Sequence, residues 1–495
     1  MGLTIDQEQF EEADYVRFER RLQTNLVALK QLLQRPGFGE GPATLGAELE
    51  LTIIDSAGRA LPLNRTLLAQ SLDPRLQLEL DRFNLEYNLS PVPARGAPFA
   101  ALEAEMQQAI GELDAYAGGH GGSVVSIGIL PTLSADDLQA DAMTDLPRYR
   151  ALSAGLRRLH SGPYEVRIDG EEPLSVTCDD VTLEGANTAL QLHIRVDPAL
   201  FAAAYNAIQI ATAPALALAA NSPVFLGHRL WDETRVALFK QAVDARAPQE
   251  SGWRLPARVS FGHGWVREGA YEVFAEAVAL YPCLLPVTGD EDPLERVRSG
   301  ELPRLDELRL HQGTVWRWNR AIYDPSAGGH VRIEMRALPS GPTPIDMVAS
   351  AAFLIGLSQG LRSEMDRLLP AFPFEYAERN FYRAAQFGLD APLLWPSLSG
   401  PSPRELRVRE LIPELLPLAE QGLASLGVEE SEIQRLLDVI RARLETGTTP
   451  ARWQQRMLGR LDGRVPRSEA LSQMLAIYLR EAKSGRPVTE WSEEP

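Results

Sequence analysis

The chain has 495 residues, which is long enough for one large domain with an appendage or for two domains. It carries 49 Lys and Arg against 67 Asp and Glu, a net charge of −18, which disfavours non-specific binding to nucleic acid or to an anionic membrane. Its two cysteines, Cys178 and Cys283, lie far apart, so neither a disulfide framework nor a structural zinc site is indicated and a reducing cytoplasm is expected.

The N-terminal residues lack the basic and apolar blocks of a signal peptide, so the sequence predicts neither export nor membrane anchoring. Apolar residues at helical spacing predict helices over about residues 8–33, 99–117, 199–220, 233–245, 345–361, 404–424, 429–445 and 467–484. The most apolar stretch, from Ala207 to Leu226, is interrupted by Asn221 and two prolines. We interpret it as a buried helix rather than a membrane span.

Proline and aromatic residues cluster at 370–374, directly after a long predicted helix. This change in composition suggests a boundary between a catalytic body, residues 1–370, and a C-terminal extension, residues 371–495. The patterns after the boundary predict an entirely helical extension.

Four segments alternate polar and apolar residues with a period of two, which is typical of a strand with one buried face. Taken singly, each is better explained by an antiparallel strand that turns its polar face to water. In chain order, the polar faces carry Glu48, Glu50 and Thr52; Asn84, Glu86 and Asn88; Gln191, His193 and Arg195; and Arg332, Glu334 and Arg336.

Together, these faces avoid Lys and Ser and offer carboxylates, an amide, an imidazole and arginines. Several carboxylates meeting in one cavity would repel one another unless they shared protons or bound cations. Oxygen donors with one imidazole suit Mg²⁺ or Mn²⁺, and Mg²⁺ is usually completed by substrate phosphates. Arginines beside them suit a phosphoryl group or a carboxylate. The pattern therefore predicts phosphoryl transfer.

The order of these segments resembles the glutamate-cysteine ligase family, especially its bacterial carboxylate-amine ligase and plant-type branches, which are distant relatives of glutamine synthetase. The motifs are a G-x-E-x-E strand, an E-x-N strand, A-N-S-P and a final E-x-R. They stand in GAELELTIID at 46–55, FNLEYNLSP at 83–91, NTALQLHIRVD at 187–197, ALAANSPVFLGHRLWDETR at 217–235 and WNRAIYDPSAGGHVRIEMRALP at 318–339. Two positions depart from the family: Gln191 stands where bacterial members often have His, and Asn319 replaces the aspartate of W-D-x-R.

The resemblance implies an α+β fold, with a curved, mostly antiparallel sheet of the glutamine synthetase type that is backed by helices and carries the active site on its concave face. It also implies two or three Mg²⁺ ions, or Mn²⁺, bridging the phosphates of ATP. The implied metal ligands are Glu48, Glu50, Glu86, Gln191 and Glu334. The implied nucleotide ligands are His193, Arg235 and Arg336, the implied substrate ligands are Arg320 and Asn88, and the implied catalytic residues are Arg336, Arg320 and Glu334.

The implied reaction is amide formation through an acyl phosphate, with glutamate and cysteine as the default small-molecule substrates, as in glutathione biosynthesis. A homo-oligomer is compatible with the sequence. Two other functions stay open: a regulatory homologue that binds metal and nucleotide without turnover, and a guanidino-type phosphotransferase of the same fold. The chain contains no GxxxxGK[ST] or GxGxxG segment that would hold phosphates at a helix start.

Some candidate residues also have structural interpretations. Arg320 is also explained as a salt-bridge arginine, and His193 as a buried histidine of the core. For Trp316 and Trp318, packing in the core is favoured over a platform that stacks on a nucleotide.

Overall fold

The computed structural model describes residues 5–160, 162–246, 255–396 and 402–494. Its strands are β1 (Thr44–Asp55), β2 (Leu76–Leu78), β3 (Asn84–Asn88), β4 (Val92–Pro93), β5 (Gly122–Val125), β6 (Tyr164–Ile168), β7 (Leu174–Cys178), β8 (Leu190–Val196), β9 (Val224–Phe225), β10 (His228–Arg229), β11 (Asn319–Asp324), β12 (His330–Met335), β13 (Pro392–Trp395) and β14 (Arg404–Arg407).

The helices are α1 (Glu12–Leu33), α2 (Asn64–Gln70), α3 (Pro98–Gly118), α4 (Pro147–Leu159), α5 (Thr182–Gly185), α6 (Phe201–Ala219), α7 (Arg235–Ala242), α8 (Ala270–Leu280), α9 (Pro293–Arg298), α10 (Asp306–Gly313), α11 (Pro344–Arg362), α12 (Met365–Leu368), α13 (Phe374–Phe387), α14 (Val408–Leu426), α15 (Glu430–Thr446), α16 (Pro450–Leu461) and α17 (Arg467–Ala482).

The main sheet is antiparallel and has the strand order β11-β12-β8-β1-β3-β2, and β4 and β5 also pair with β1. Strand β1 is central, and its buried residues alternate along the chain, which commits one face to the core. That face packs in a core that includes α3, α6 and α11. The sheet curls, so the opposite, polar face is concave. The predicted α+β class with a curved antiparallel sheet backed by helices is therefore confirmed.

The four predicted polar strands are confirmed as β1, β3, β8 and β12, and they are neighbours in the sheet. The predicted long helices are also present, as α1, α3, α6, α11, α14, α15 and α17. The helix predicted at 233–245 is shorter and ends at Ala242.

Two helical stretches are long and apolar enough to cross a membrane, Pro198–Ala219 and Pro344–Arg362. However, 78% and 89% of their most apolar windows are buried inside the protein. Helices α6 and α11 pack against each other in the core, as expected for a helix that is apolar on all sides.

The prediction that the C-terminal extension is entirely helical is wrong. Strands β13 and β14 pair antiparallel, and the helix expected from residue 404 begins only at Val408. Leu393 and Trp395 of β13 are buried and alternate with less buried residues, but all four residues of this strand are apolar, so the sequence shows no two-residue period here. Pairing with β13 therefore overrides the helical preference of residues 404–407.

Residues after 370 pack into the same cores as the rest of the chain. Helices α11 and α14 approach closely, because a Cβ atom at Gly422 would lie only 1.9 Å from the carbonyl oxygen of Gly356. Arg443 of α15 is fully buried and donates at 2.8 Å to Asp346 of α11 and at 3.1 Å to the Leu218 carbonyl. A boundary at residue 370 remains a prediction about the organisation of the chain.

Candidate active site

The polar face of β1 lies at the centre of the concave side of the sheet. Glu50 pairs across the sheet with Glu86 of β3, and Glu48 pairs with Asn88 of the same strand. On its other side, Glu48 pairs with Gln191 of β8. Because residues paired across an antiparallel sheet point to the same face, these five side chains lie together.

Strands β12 and β11 extend this face beyond β8. Glu334 of β12 pairs with His193 of β8, and Arg320 of β11 pairs in turn with Glu334. Arg336 follows directly after β12 and contacts the side-chain oxygen of Gln191. All the predicted site residues except Arg235 therefore meet on one face.

One cluster on this face has the geometry of a cation site. Nε2 of His193 lies 3.1 Å from Oε1 of Glu48 and 3.9 Å from Oε1 of Glu334, and one donor atom from each of the three residues lies within 4.8 Å of the others. His193 and Glu334 are buried, and the side chain of Glu48 is 21% exposed. Two carboxylates that converge in this way fit a divalent cation with oxygen ligands.

The orientation of the His193 ring is set by Arg332, whose Nε donates at 3.0 Å to Nδ1. A guanidinium can only donate, so Nδ1 must accept, and the neutral ring carries its proton on Nε2. That nitrogen is buried, and its nearest charged neighbour is Oε1 of Glu48 at 3.1 Å. His193 therefore presents a donor to this cavity, which suits an anionic group such as a phosphate better than a metal ion.

Glu334 is held ionised between two arginines. Arg320 donates to both of its oxygens, at 2.6 and 2.9 Å, and Arg336 approaches one of them at 3.3 Å. Burial alone would raise the pKa of Glu334, but Arg320 and Arg336 outweigh it and hold the pKa well below its usual range. In the same way, burial of Glu48 is outweighed by the neighbouring His193, so the net effect lowers the pKa of Glu48.

Two other carboxyl groups of this face, Glu50 of β1 and Glu86 of β3, have raised rather than lowered pKa values. Glu50 accepts hydrogen bonds from Gln191 and from the backbone of Ala189, both at 2.7 Å. Nevertheless, burial and the nearby Glu86 raise the pKa of Glu50 to about 8. Burial and Glu48 raise the pKa of Glu86 well above its usual value. Arg336 lowers the pKa of both carboxyl groups but does not offset their burial and mutual repulsion, which is the condition that a bound cation relieves.

Two further carboxylates that the sequence analysis did not select belong to this group. Burial, Glu50 and Glu184 raise the pKa of Glu79 to about 8, and burial raises the pKa of Glu184 to about 7. A signal for Glu79 was present, because the segment LQLELD at 76–81 alternates in the same way as the other strands and β2 pairs with β3. Glu184 lies in the short helix α5, where no strand pattern would select it.

Arg235 begins α7 and does not belong to the strands of this face. It is 2% exposed, and its guanidinium donates at 2.6 Å both to Glu233 and to the carbonyl of Ala337. Its contacts within the protein anchor the segment that follows Arg336. A role for Arg235 in nucleotide binding remains a prediction.

Asn88 is on the concave face and donates at 2.9 Å to Glu86. Trp318 is 2% exposed and packs against the rings of Phe239 and Phe381, in agreement with the interpretation as core packing. Trp316 also contacts Phe239, with ring centroids 6.1 Å apart.

The family model described as glutamate-cysteine ligase family 2 (GCS2) matches residues 44–475, which is most of the chain and includes every strand of this face. The chain therefore belongs to glutamate-cysteine ligase family 2. The family resemblance inferred from the five sequence segments is confirmed.

Two curated proteins are similar in sequence. A putative glutamate–cysteine ligase 2-1 from Frankia alni is 29% identical over 213 residues, which is 41% of this chain and 50% of the relative. The protein of the same name from Frankia casuarinae is 29% identical over 212 residues, 42% of this chain and 50% of the relative. The matches thus span about half the length of these curated relatives.

A solved structure supports the fold. Glutamate–cysteine ligase from Francisella tularensis, crystallised with AMP, superimposes with a TM-score of 0.50 over 92% of this chain and 91% of that chain, at 11% sequence identity. At this identity the likeness concerns the fold alone. The residue roles expected for glutamate-cysteine ligase family 2 remain predictions, and the convergence of donors on the concave face is the geometric condition that they require.

Proposed function

We propose that this protein is an ATP- and Mg²⁺-dependent ligase that joins a carboxylate to an amine through an acyl phosphate, most simply the γ-carboxylate of glutamate to cysteine. The single observation that carries the proposal is the concave face on which carboxylates, Gln191 and His193 meet Arg320 and Arg336. Family membership and the AMP complex of the Francisella enzyme support ATP as the nucleotide.

The donor set fits Mg²⁺ because it consists almost entirely of oxygen atoms, several of them in carboxyl groups whose pKa is raised. Glu48 and Glu334 would hold an ion at one end of the site, and Glu50 and Glu86, with Gln191 or Glu79, at the other. When bound, the ions would neutralise charge on the phosphate oxygens.

The protein side chains would act by positioning and by charge. Arg336, which contacts Gln191 and Glu334, would follow the negative charge of the phosphoryl group as it passes to the substrate carboxylate. Arg320 would exchange Glu334 for a substrate carboxylate, which has the same bidentate geometry. His193 would donate from Nε2 to a phosphate oxygen. An amine would then displace phosphate from the acyl phosphate.

The test is ADP release from purified protein with Mg-ATP and glutamate across a panel of amines that includes cysteine, with mass spectrometry of the products. A γ-glutamyl amide supports the proposal and identifies the amine. ADP formed without an amide would point to the phosphotransferase. No turnover with any amine would point to the regulatory homologue.

We also propose a reducing, cytoplasmic location. It is supported by the two cysteines, which are both free, Cys178 partly buried and Cys283 buried. Alkylation of both thiols after denaturation of protein isolated from cells is the expected result.

A further inference from the structure

A cavity of about 320 Å³ lies behind the sheet, away from the carboxylates of the candidate active site. It is bounded by α6, α8 and the loop 262–267. The side chain of Asn319 points to this side and donates to Gln209 of α6, whereas the next residue, Arg320, points to Glu334. Because successive residues of a strand face opposite sides, the sheet separates this cavity from the candidate active site.

A buried ion pair forms part of the cavity wall. The side chain of Arg317 is 3% exposed and is paired with Glu276 of α8, whose side chain is 33% exposed. Nε of Arg317 is buried and has no hydrogen-bond partner among the described residues. A buried guanidinium with an unused donor is costly, and a carboxylate can accept from two of its nitrogens at once.

The rest of the wall limits the size and character of a ligand. Trp265 is fixed by a hydrogen bond from its indole nitrogen to the Phe372 carbonyl at 2.9 Å, and it lines the cavity with Val266 and Val273. The volume is at the lower end of the roughly 300–1,000 Å³ that is usual for small-molecule sites. The cavity therefore suits a small ligand that carries both signs of charge and a short apolar part.

We propose that this cavity is a second site, which binds a small zwitterionic amino acid with its carboxylate on Arg317 and its ammonium group on Glu276. Arg317 lies directly before β11, and the Tyr205 hydroxyl on the cavity wall donates at 2.6 Å to the backbone of Asn319 in that strand. Occupation of the cavity is thereby linked to the strand that carries Arg320. An effect on turnover rests on the proposed ligase function, whereas binding does not.

The chain offers a variant that fills the cavity without disturbing the buried ion pair. Gly264 lines the cavity, and a Cβ atom added there would meet no atom within 4 Å. Gly264→Leu should therefore occupy the space that a ligand needs. Gly111→Leu is the matched control, because a Cβ at this exposed glycine of α3 also meets no atom within 4 Å.

The experiment screens the common amino acids one at a time, at millimolar concentration, for an increase in melting temperature, followed by calorimetric titration of any that stabilise. We expect at least one to bind, with an affinity unchanged in Gly111→Leu and in Arg320→Lys. Binding should be lost in Gly264→Leu and at least tenfold weaker in Glu276→Gln.

If no amino acid binds, or if Gly264→Leu binds as tightly as the unmodified protein, the proposal is wrong. Binding that is lost in Arg320→Lys but kept in Gly264→Leu would place the ligand in the candidate active site. That result would overturn the second site and leave the proposed ligase function standing.

Discussion

Glu334 has contacts that make its charge central to the candidate active site. It lies 3.9 Å from His193, it receives two hydrogen bonds from Arg320, and Arg336 is 3.3 Å away. A buried charge with partners of this kind is difficult to replace, because removing it leaves the arginines without their counter-ion.

We therefore expect Glu334→Gln to lower the rate of ADP formation by about 10²–10³-fold while the protein still folds. Steady-state assays with Mg-ATP and circular dichroism measure the two effects. The matched control is Glu414→Gln, which removes a carboxylate from an exposed ion pair with Arg404 and should leave the rate unchanged. Full activity of Glu334→Gln would show that this carboxylate takes no part in the reaction.

The raised pKa values of Glu50 and Glu79 predict that the stability of the fold depends on pH. Burial and Glu86 raise the pKa of Glu50 in the folded protein from 4.5 to about 8, so the folded state binds this proton more tightly than the unfolded state. The contribution of Glu50 to the free energy of unfolding is complete below pH 4.5, and it is lost as the pH rises towards 8. Glu79, with a pKa raised to about 8 by burial and Glu50, acts in the same direction.

Between pH 6 and pH 9 in EDTA, we expect the melting temperature to fall. Added Mg²⁺ should restore it, and should do so more at pH 9 than at pH 6, because the ion competes with protons for the same oxygens. Scanning fluorimetry with Na⁺ at matched ionic strength is the control. An equal effect of Mg²⁺ at both pH values would contradict the assignment of these carboxylates as ligands.

At the residue scale, the concave face could be predicted from the sequence because a two-residue period is visible whenever one side of a strand is buried. Glu184 was not predicted, because a four-residue helix shows no period. Arg235 was predicted from a motif, but motif spacing does not reveal that Glu233, two residues away, accepts a hydrogen bond from the guanidinium. Which residues form hydrogen bonds with a buried arginine depends on the tertiary structure.

At the scale of elements, the contact between α11 and α14 depends on small residues. Gly356 and Gly360 of α11 lie against Gly422 of α14, and a Cβ at Gly422 would lie within 2.6 Å of the Gly360 nitrogen. Helices that approach this closely cannot accommodate a methyl group at the point of contact.

We expect Gly422→Ala to lower the free energy of unfolding by about 1–3 kcal/mol, as overpacking does. The control is Gly459→Ala in α16, where a Cβ meets nothing within 4 Å and alanine should stabilise the helix by up to about 1 kcal/mol. Urea unfolding of both variants measures the difference. Equal changes in the two variants would mean that helix propensity, rather than contact, decides the effect.

A helix or strand could be predicted from the sequence where the spacing of its apolar residues was sufficient to define it. Long helices could be predicted because their apolar period persists over several turns. The pairing of β13 with β14 was missed because each strand has only four residues and its partner is a separate segment of the chain. The segment RELR at 404–407 has good helix formers, and only pairing with residues 392–395 makes it a strand.

At the scale of the whole molecule, the C-terminal region completes the cores. Phe381, Leu411 and Ile440 are fully buried in the same cluster as β1 and α6, and Trp453 and Tyr478 are buried in a second cluster with Ile54 of β1. Arg443 adds a buried ion pair with Asp346.

We expect residues 1–370 expressed alone to lack a cooperative unfolding transition, because α6 and α11 would expose large apolar surfaces. Thermal and urea unfolding followed by circular dichroism test this, with the full chain as control. A cooperative transition in the truncated protein would instead support the predicted division at residue 370.

The position of α6 along the chain has a consequence for synthesis. This helix is buried on nearly all sides, yet α11, one of its main partners, begins roughly 120 residues after α6 ends. At roughly 5–20 residues per second, α6 leaves the ribosome on the order of ten seconds before α11 is available to cover it. A chaperone that binds apolar segments of nascent chains would have its main target here, and its depletion should reduce the yield of folded protein more than that of a chain whose core helices are neighbours in sequence.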